Sequence, residues 1–162
     1  MPLAPASLRR ALILVAVSAV GFGTAACQPQ TSFVSAAPAS VSSGSEASQL
    51  LSLVNAYRTA NGLPALTPAA DAMAKAQQHS NDMAAHNSLF HSSSLSSGIG
   101  GGWRALGENV GDGGSVAQIQ SMFQASGPHN ANLLNGAYNL VGVGVAHAAN
   151  GTTFVTEIFV AR

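Results

Sequence analysis

Very few side chains in this sequence could carry out chemistry. The chain has six acidic residues and five histidines, and one acid, Glu108, stands between Gly107 and Asn109 in the stretch WRALGENVGDGG. A glutamate in such a glycine-rich setting is either a functional carboxylate or a solvated loop residue that accepts a helix-capping hydrogen bond. The local sequence leaves both interpretations open.

One predicted helix carries a second group of polar residues. His79 and Asp82 are three positions apart, and His86 follows along the same general face. A metal site could be assembled from the three, but we favour a structural role because small and apolar neighbours flank His79 on the helix.

Two classes of function have little support. No serine lies in a Gly-x-Ser-x-Gly elbow, and the only cysteine, Cys27, precedes the predicted domain, so nucleophilic catalysis is not indicated. No basic run or aromatic–basic interleaving occurs, so no nucleic-acid partner is predicted.

The N-terminus predicts export. A segment with two arginines precedes the uncharged apolar run ALILVAVSAVGFGTAA, which ends in small residues. This is the pattern of a signal peptide over residues 1–26. A transmembrane anchor is the alternative, although the glycines make the run short and weak for one.

Cys27 directly follows the small residues TAA, and this junction resembles the lipobox of bacterial lipoproteins. An unpaired thiol in an exported chain is a liability unless it is used. We therefore predict lipidation of Cys27 and a cell-envelope lipoprotein, and Gln28 suggests the outer membrane. Cleavage after Ala26 without lipid would give a secreted protein.

The rest of the chain predicts one domain. Residues 27–45 are uncharged and without period, which indicates a flexible tether behind the anchor cysteine. Residues 46–162 are long enough to bury a core, which packing must stabilise because no disulfide is possible.

The hydrophobic pattern predicts two helices at the start of the domain. The first covers residues 46–60, where apolar residues recur at helical spacing. In the second, Thr67 is the predicted N-cap, Pro68 the first helical residue, and the end falls near Ala85.

Two further helices are predicted after the glycine-rich stretch. Ser115 and Gln118 have capping-box spacing at the start of the third, whose predicted apolar face consists of Ile119, Met122 and Phe123. A short fourth helix opens at Pro128 and ends near Gly136.

The C-terminal sequence predicts a β-hairpin around Asn150-Gly151. A two-residue turn would place Val145 opposite Thr156 and His147 opposite Phe154. Helices first and paired strands last indicate an α+β domain, with helices packed on an antiparallel sheet.

Seven motifs in order resemble the CAP superfamily, also called SCP-like or cysteine-rich secretory, antigen 5 and pathogenesis-related 1 domains, in its small bacterial form. They extend from Gln49 to Val160. The stretches are LLSLVNAYRTANGLPAL, AQQHSNDMA, FHSSS, LGENVG, SGPHNANLL, LVGVGVA and TFVTEIFV. The resemblance implies an α-β-α sandwich with a central cleft.

The resemblance also implies the lining of that cleft, which in the family holds two histidines and two acids. His91 matches the first histidine and Glu108 the first acid. Ser126 falls near the second acid, Phe154 occupies the position of the last histidine, and bacterial members offer a residue such as His129 instead. Gly107 would let the backbone pass closely, and Asn109 would hold the turn.

The matched residues His91, Glu108 and His129 together would suit a divalent cation such as zinc, with a fourth position open. The N-terminus of a helix opening at Pro128 would lower the pKa of His129. The alternative is a hydrogen-bonded polar cluster, without metal, that braces the loops.

Three other residues received specific predictions. Glu157 should point inward in a structural role, where the family has a glutamine, and Trp103 should plug the core. His147, opposite Phe154, could reach the space of the missing histidine, although an exposed position at the hairpin tip is favoured.

Taken together, these features predict an exported, lipid-anchored CAP-domain protein whose cleft binds a ligand or ion without turnover. One alternative is a metal-assisted hydrolase, peptidase- or nuclease-like, with Glu108 as general base; the other is a structural envelope scaffold. The expected partners are an unidentified small ligand or envelope component and, through Cys27, the membrane. We expect a monomer.

Overall fold

The computed structural model describes residues 43–162, so the predicted signal peptide and lipidated Cys27 lie outside the described residues. Four helices and four strands occur in this part of the chain. They are α1 Ser43–Ala60, β1 Thr67–Pro68, α2 Ala70–His86, β2 Ala105–Gly113, α3 Val116–Ala125, α4 Gly127–Leu133, β3 Leu140–His147 and β4 Thr153–Ala161. None of these helices combines the length and the apolar character needed to cross a bilayer.

The four strands form one sheet in the order β1-β3-β4-β2, antiparallel except for the short β1–β3 pair. The predicted capping role of Thr67 was wrong, because Thr67 and Pro68 are the whole of β1. Their pairing with β3 takes them out of the helix: the N–H of Thr67 donates to Asn139 O (3.0 Å). The helix α2 begins at Ala70, and Ala69 at the N-cap makes no side-chain capping bond.

Helices cover both faces of the sheet, which confirms the α-β-α sandwich. On one face Val155 and Phe159 of β4 pack into the core with residues of α1, α3 and α4. On the other face Ile158 and Val160 pack against α2. All of β4 is buried, so the two apolar layers meet along this strand and hold the sandwich together.

The helix α2 lies directly on two glycines of β3. A Cβ at Gly142 would stand 2.0 Å from the carbonyl carbon of Ala72, and one at Gly144 would stand 2.3 Å from that of Ala76. Backbone therefore packs on backbone here, which only glycine permits.

The hairpin register differs by one residue from the two-residue turn that was predicted. The N–H of Ala148 donates to Thr152 O (2.9 Å), so three residues form the turn. Asn150 stabilises it because its side chain accepts from the N–H of Thr152 (3.0 Å). As a result Val145 pairs with Val155, and His147 pairs with Thr153.

The helix α3 begins as predicted, with the Ser115 hydroxyl accepting from the N–H of Gln118 (3.3 Å). Ile119 and Phe123 are buried, but Met122 is 50% exposed, so its assignment to the apolar face was wrong. Met122 comes one position before Phe123, so its side chain projects away from the helix face that packs on the sheet.

A buried arginine ties the first helix to the fourth. Arg58 is 1% exposed, and its guanidinium donates to the carbonyls of Pro64 (3.1 Å), Leu133 (2.8 Å) and Asn135 (3.0 Å). Burial lowers the pKa of Arg58. The group satisfies carbonyls at the end of α4 that lack helical partners, and sequence reasoning did not anticipate this role.

Candidate functional site

Glu108 lies in β2, at the edge of the sheet, and it pairs with Ile158 of β4. Its side chain is therefore on the α2 face and is only 5% exposed. Gly107 is required just before it, because a Cβ there would stand 2.5 Å from the Tyr138 hydroxyl. The glutamate is thus a strand residue held against the domain and not a solvated loop residue.

Three donors surround the Glu108 carboxylate. His91 Nδ1 lies 2.8 Å from Oε1, the N–H of Ser92 donates to the same oxygen at 2.9 Å, and the Ser92 hydroxyl donates to Oε2. The structure therefore brings His91 and Glu108 together. It adds Ser92, whose role sequence reasoning missed although it directly follows His91.

The electrostatics of this group keep Glu108 ionised. Burial on its own would raise the pKa of Glu108, but the two hydrogen bonds from Ser92, together with His91 and the nearby His79, hold it below its usual range. An ionised carboxylate accepts the Nδ1–H of His91 and so fixes the ring tautomer. In the neutral form of the ring, which is 64% exposed, Nε2 then carries the lone pair.

The His129 ring makes no hydrogen bond to this pair and contacts other residues instead. It is the third residue of α4, and its Nδ1 is 3.0 Å from the Ser126 hydroxyl. Its ring is 4.9 Å, centroid to centroid, from that of Phe123. Burial is the main cause that lowers the pKa of His129, followed by repulsion from His91; the helix N-terminus was the cause expected from the sequence.

The side chains of His91, Glu108 and His129 do not form a ready set of metal ligands. Among residues 43–162 no group of three or more histidines, cysteines or acids is arranged to hold a metal ion. The Glu108 oxygens already accept hydrogen bonds from His91 and Ser92. Zinc binding therefore stays a prediction for metal analysis.

Asn109 does not hold a turn, as the sequence suggested, but joins the sheet to α4. Its side-chain N–H groups donate to Glu157 Oε2 (2.9 Å) and His129 O (3.2 Å). Asn132 donates to Asn109 Oδ1 (2.9 Å) and to Glu108 O (3.2 Å). This network positions α4 beside the Glu108 segment, and Asn132 was another residue that the sequence did not single out.

Glu157 points inward, as expected, and is completely buried. Within the described residues its Oε1 has no hydrogen-bond partner. Burial raises the pKa of Glu157 to about 8, against a smaller opposing effect of the Asn109 hydrogen bond. The group is therefore a neutral acid at pH 7.

The prediction for Trp103 was wrong, whereas the exposed position favoured for His147 is confirmed. Trp103 is 40% exposed and does not plug the core. His147 does not replace the missing cleft histidine: its Nε2 lies 2.6 Å from Glu46 Oε2 at the start of α1. The three-residue turn moved it to the opposite face from Phe154, which is buried against Met83 and neighbours.

The polar residues of α2 have structural contacts. His79 Nε2 lies 2.8 Å from Phe90 O, and the two rings make an edge contact at 5.3 Å. His86 Nδ1 lies 2.7 Å from the backbone carbonyl of Asp82. These contacts tie the segment before His91 to α2.

A groove runs beside His91, between α2 and residues 90–98. Its cavity volume is about 570 Å³. The chain opposite α2 runs antiparallel to it, because Phe90 contacts His79 while the N–H of Gly100 donates to Asp71 Oδ2 (2.8 Å). The groove lining is about half polar and half apolar, and four serines line its loop side: Ser92, Ser93, Ser94 and Ser97.

Residues 51–160 match the family model described as CAP, the cysteine-rich secretory protein family. No curated protein is significantly similar to the chain.

Solved structures share the fold. An extracellular SCP-domain protein from Bacillus anthracis is 29% identical, with a TM-score of 0.64 over 74% of this chain and 41% of its own. An outer surface protein of Borrelia burgdorferi has a TM-score of 0.68 at 12% identity, covering 75% of this chain and 96% of its own. A cysteine-rich secretory protein from Staphylococcus aureus has a TM-score of 0.63 at 20% identity, covering 74% of this chain and 40% of its own. This chain therefore spans about two fifths of the Bacillus and Staphylococcus proteins.

Proposed function

The chain belongs to the CAP, or cysteine-rich secretory protein, family, and from that premise we propose that it is an exported, lipid-anchored protein whose groove beside His91 binds a small ligand without turnover. The N-terminal apolar run and the position of Cys27 support export and anchoring. Similar folds in proteins described as extracellular or outer surface support the same location.

The contact that carries the binding proposal is the pair formed by His91 and the ionised Glu108. Ser92 and burial hold the carboxylate in place, and the carboxylate holds the imidazole at 2.8 Å. A ring fixed through Nδ1 presents Nε2 as an oriented acceptor beside the groove. Such preorganisation lowers the entropy cost of binding a ligand.

Binding without turnover is favoured because the remainder of the family's tetrad is absent. Ser126 falls near the sequence position of the family's second acid, and its hydroxyl contacts His129. Phe154, in the place of the last histidine, is 2% exposed and lies in the core. The site therefore has one acid–histidine pair where the family has two histidines and two acids.

A hydrolase is the second candidate, and one observation favours it. A carboxylate that orients a histidine, whose other nitrogen is available, is also the arrangement of a general base. Turnover that disappears in Glu108→Gln, with the fold retained, would establish this alternative in place of the first.

A fragment screen by NMR tests the binding proposal. Ligands should shift the signals of groove residues in the wild type, and His91→Ala should abolish these shifts. His147→Ala is the matched control, because this histidine is at the end of β3, bonds to Glu46 and does not line the groove. If no compound shifts the groove signals, or if His91→Ala binds as well as the wild type, the proposal is wrong.

The anchoring proposal has its own measurement. Mass spectrometry of envelope fractions should find acylated Cys27 as the N-terminal residue, and Cys27→Ser should move the protein from the membrane fraction to the soluble fraction. An unmodified Cys27 in membrane-bound protein would contradict the anchor.

A further inference from the structure

The charged side chains of the domain are almost all paired. Asp71 bonds to Arg162, Glu46 to His147, and Glu108 to His91. Arg58 and Glu157 are buried with their own partners, and Arg104 donates to a carbonyl (3.1 Å). Within residues 43–162, the charged groups left without a hydrogen bond or ion pair are those of Lys75, Asp82 and Asp112.

Two of these three unpaired charges line the same groove. Lys75 and Asp82 both face the cavity between α2 and residues 90–98, and Asp112 does not. They are seven positions apart on one helix, so their backbones are about 10 Å apart along its axis. This distance is too long for the two side chains to neutralise each other at close range.

The two ends of the groove differ in chemistry. At the Lys75 end, Asp71 is already engaged by Arg162 and by the N–H of Gly100, so the lysine charge is not cancelled. Ser97 lines the loop side, and it lies towards that end because Gly100, three residues later, bonds to Asp71. At the Asp82 end, Phe90 also lines the cavity and is 39% exposed.

A groove with a cationic end and an anionic end is complementary to a zwitterionic ligand. A carboxylate would bind at Lys75 and Ser97, and an ammonium at Asp82, where the Phe90 ring adds a cation–π contact. An extended peptide spans about 3.3–3.6 Å per residue, so about three residues bridge the two charges. We propose that the groove binds a short peptide of about three residues by both free termini, with its C-terminus at Lys75 and its N-terminus at Asp82.

This inference rests on the proposed function, since it names the ligand class of the groove beside His91. His91 lines the same cavity, near the Asp82 end because Phe90 precedes it and contacts His79. Its oriented Nε2 would accept a hydrogen bond from a peptide N–H. Charge at both ends makes the affinity fall as ionic strength rises.

The probe is tri-alanine, titrated into the isotope-labelled full chain and followed by NMR, beside its N-acetyl and C-terminal amide forms. Tri-alanine should shift the groove signals. N-acetylation should weaken binding at least about fivefold in the wild type, and no further in Asp82→Asn. C-terminal amidation should likewise weaken binding at least about fivefold in the wild type, and should weaken it no further in Lys75→Gln.

Matched variants remove a charge of the same sign outside the groove. Asp112→Asn and Arg104→Gln should bind tri-alanine as the wild type does. Circular dichroism should show all four variants folded, because none of these residues is buried.

The experiments distinguish a failure of the peptide inference from a failure of the binding proposal. If fragments shift the His91 region but tri-alanine does not, or if tri-alanine binds Asp82→Asn and Lys75→Gln as tightly as the wild type, the peptide inference is overturned and the binding proposal stands. If neither fragments nor tri-alanine shift the groove, both are overturned.

Discussion

Two glutamates on paired strands of one sheet show opposite behaviour. Glu108 of β2 and Glu157 of β4 are neighbours through Asn109, which pairs with Glu157 and follows Glu108 in the chain. Glu108 receives three hydrogen bonds and its pKa is lowered, whereas Glu157 receives one and its pKa is raised to about 8.

The difference shows how hydrogen-bond donors oppose burial in deciding whether a carboxylate carries charge here. Both side chains are almost excluded from solvent. Donors compensate for the lost hydration at Glu108, and at Glu157 a single amide does not. The charged group is the one beside the groove, and the neutral group is in the core.

The largest expected effect on the free energy of unfolding comes from Glu157, the neutral glutamate. Because the pKa of Glu157 is raised in the folded state, folding takes up a proton between about pH 4.5 and 8, so the wild type loses stability as the pH rises through that range. Glu157→Gln keeps an acceptor for Asn109 and cannot ionise. It should raise the free energy of unfolding at pH 8 by about 3 kcal/mol.

Urea unfolding of the wild type and of Glu157→Gln at pH 5, 6.5 and 8 measures this effect. The two proteins should converge at the lowest pH and diverge as the pH rises. A constant difference across the three values would show that Glu157 does not titrate in this range.

The second-largest expected effect on stability concerns Glu108, the charged glutamate. Ser92→Ala removes the hydroxyl that donates to Glu108 and should lower the free energy of unfolding at pH 7 by about 1–2 kcal/mol. Glu108 has a lowered pKa, so its stabilisation is present above its ordinary pKa and lost as the pH falls. The variant should begin to lose stability at a higher pH than the wild type does.

Ser93→Ala is the control for this prediction, since Ser93 is exposed and the hydrogen bonds to the Glu108 carboxylate come from His91 and Ser92. Its thermal unfolding should match that of the wild type within about 0.5 kcal/mol. If Ser92→Ala and Ser93→Ala both lose stability at the same pH as the wild type, hydrogen-bond donors do not explain the difference between the two glutamates.

A third carboxylate extends the comparison to the surface. Asp71 accepts hydrogen bonds from Arg162, Gly100 and Ala72, and the Arg162 hydrogen bond is the main cause that lowers its pKa to about 2. Its stabilisation should persist above about pH 4 and disappear as the pH falls towards 2. NMR titration of the Asp71 carboxyl in Arg162→Gln should find a higher pKa, and an unchanged value would contradict this assignment.

The helices and the C-terminal strand pair could be predicted from the sequence because they follow from the apolar period. The layer order, the role of Gly107 and the pairing of His91 with Glu108 followed from the resemblance. Local rules failed where tertiary pairing competed with them: Thr67 and Pro68 became a strand, and one additional turn residue moved His147 across the sheet.

Other parts of the site had no signal in the sequence. Ser92 is one serine in a serine-rich loop, and nothing local marks it as the donor to Glu108. Asn109 and Asn132 meet only after α4 packs on β2. The groove depends on how residues 90–98 cross α2, which is a tertiary property with no period to detect.

The smallest expected effect on stability is that of His91→Ala, and it tests whether His91 serves to bind a ligand or to hold its loop in place. The His91 ring is 64% exposed and contributes one of three hydrogen bonds to Glu108, so Ser92 still satisfies the carboxylate when the ring is removed. His91→Ala should therefore change the free energy of unfolding by less than about 1 kcal/mol, less than Ser92→Ala does, while it abolishes ligand shifts in the groove. Urea unfolding of the two variants at pH 7 gives the ranking. If His91→Ala proves the more destabilising, the histidine serves mainly to hold the loop against β2, which is the metal-free polar cluster that the sequence also allowed.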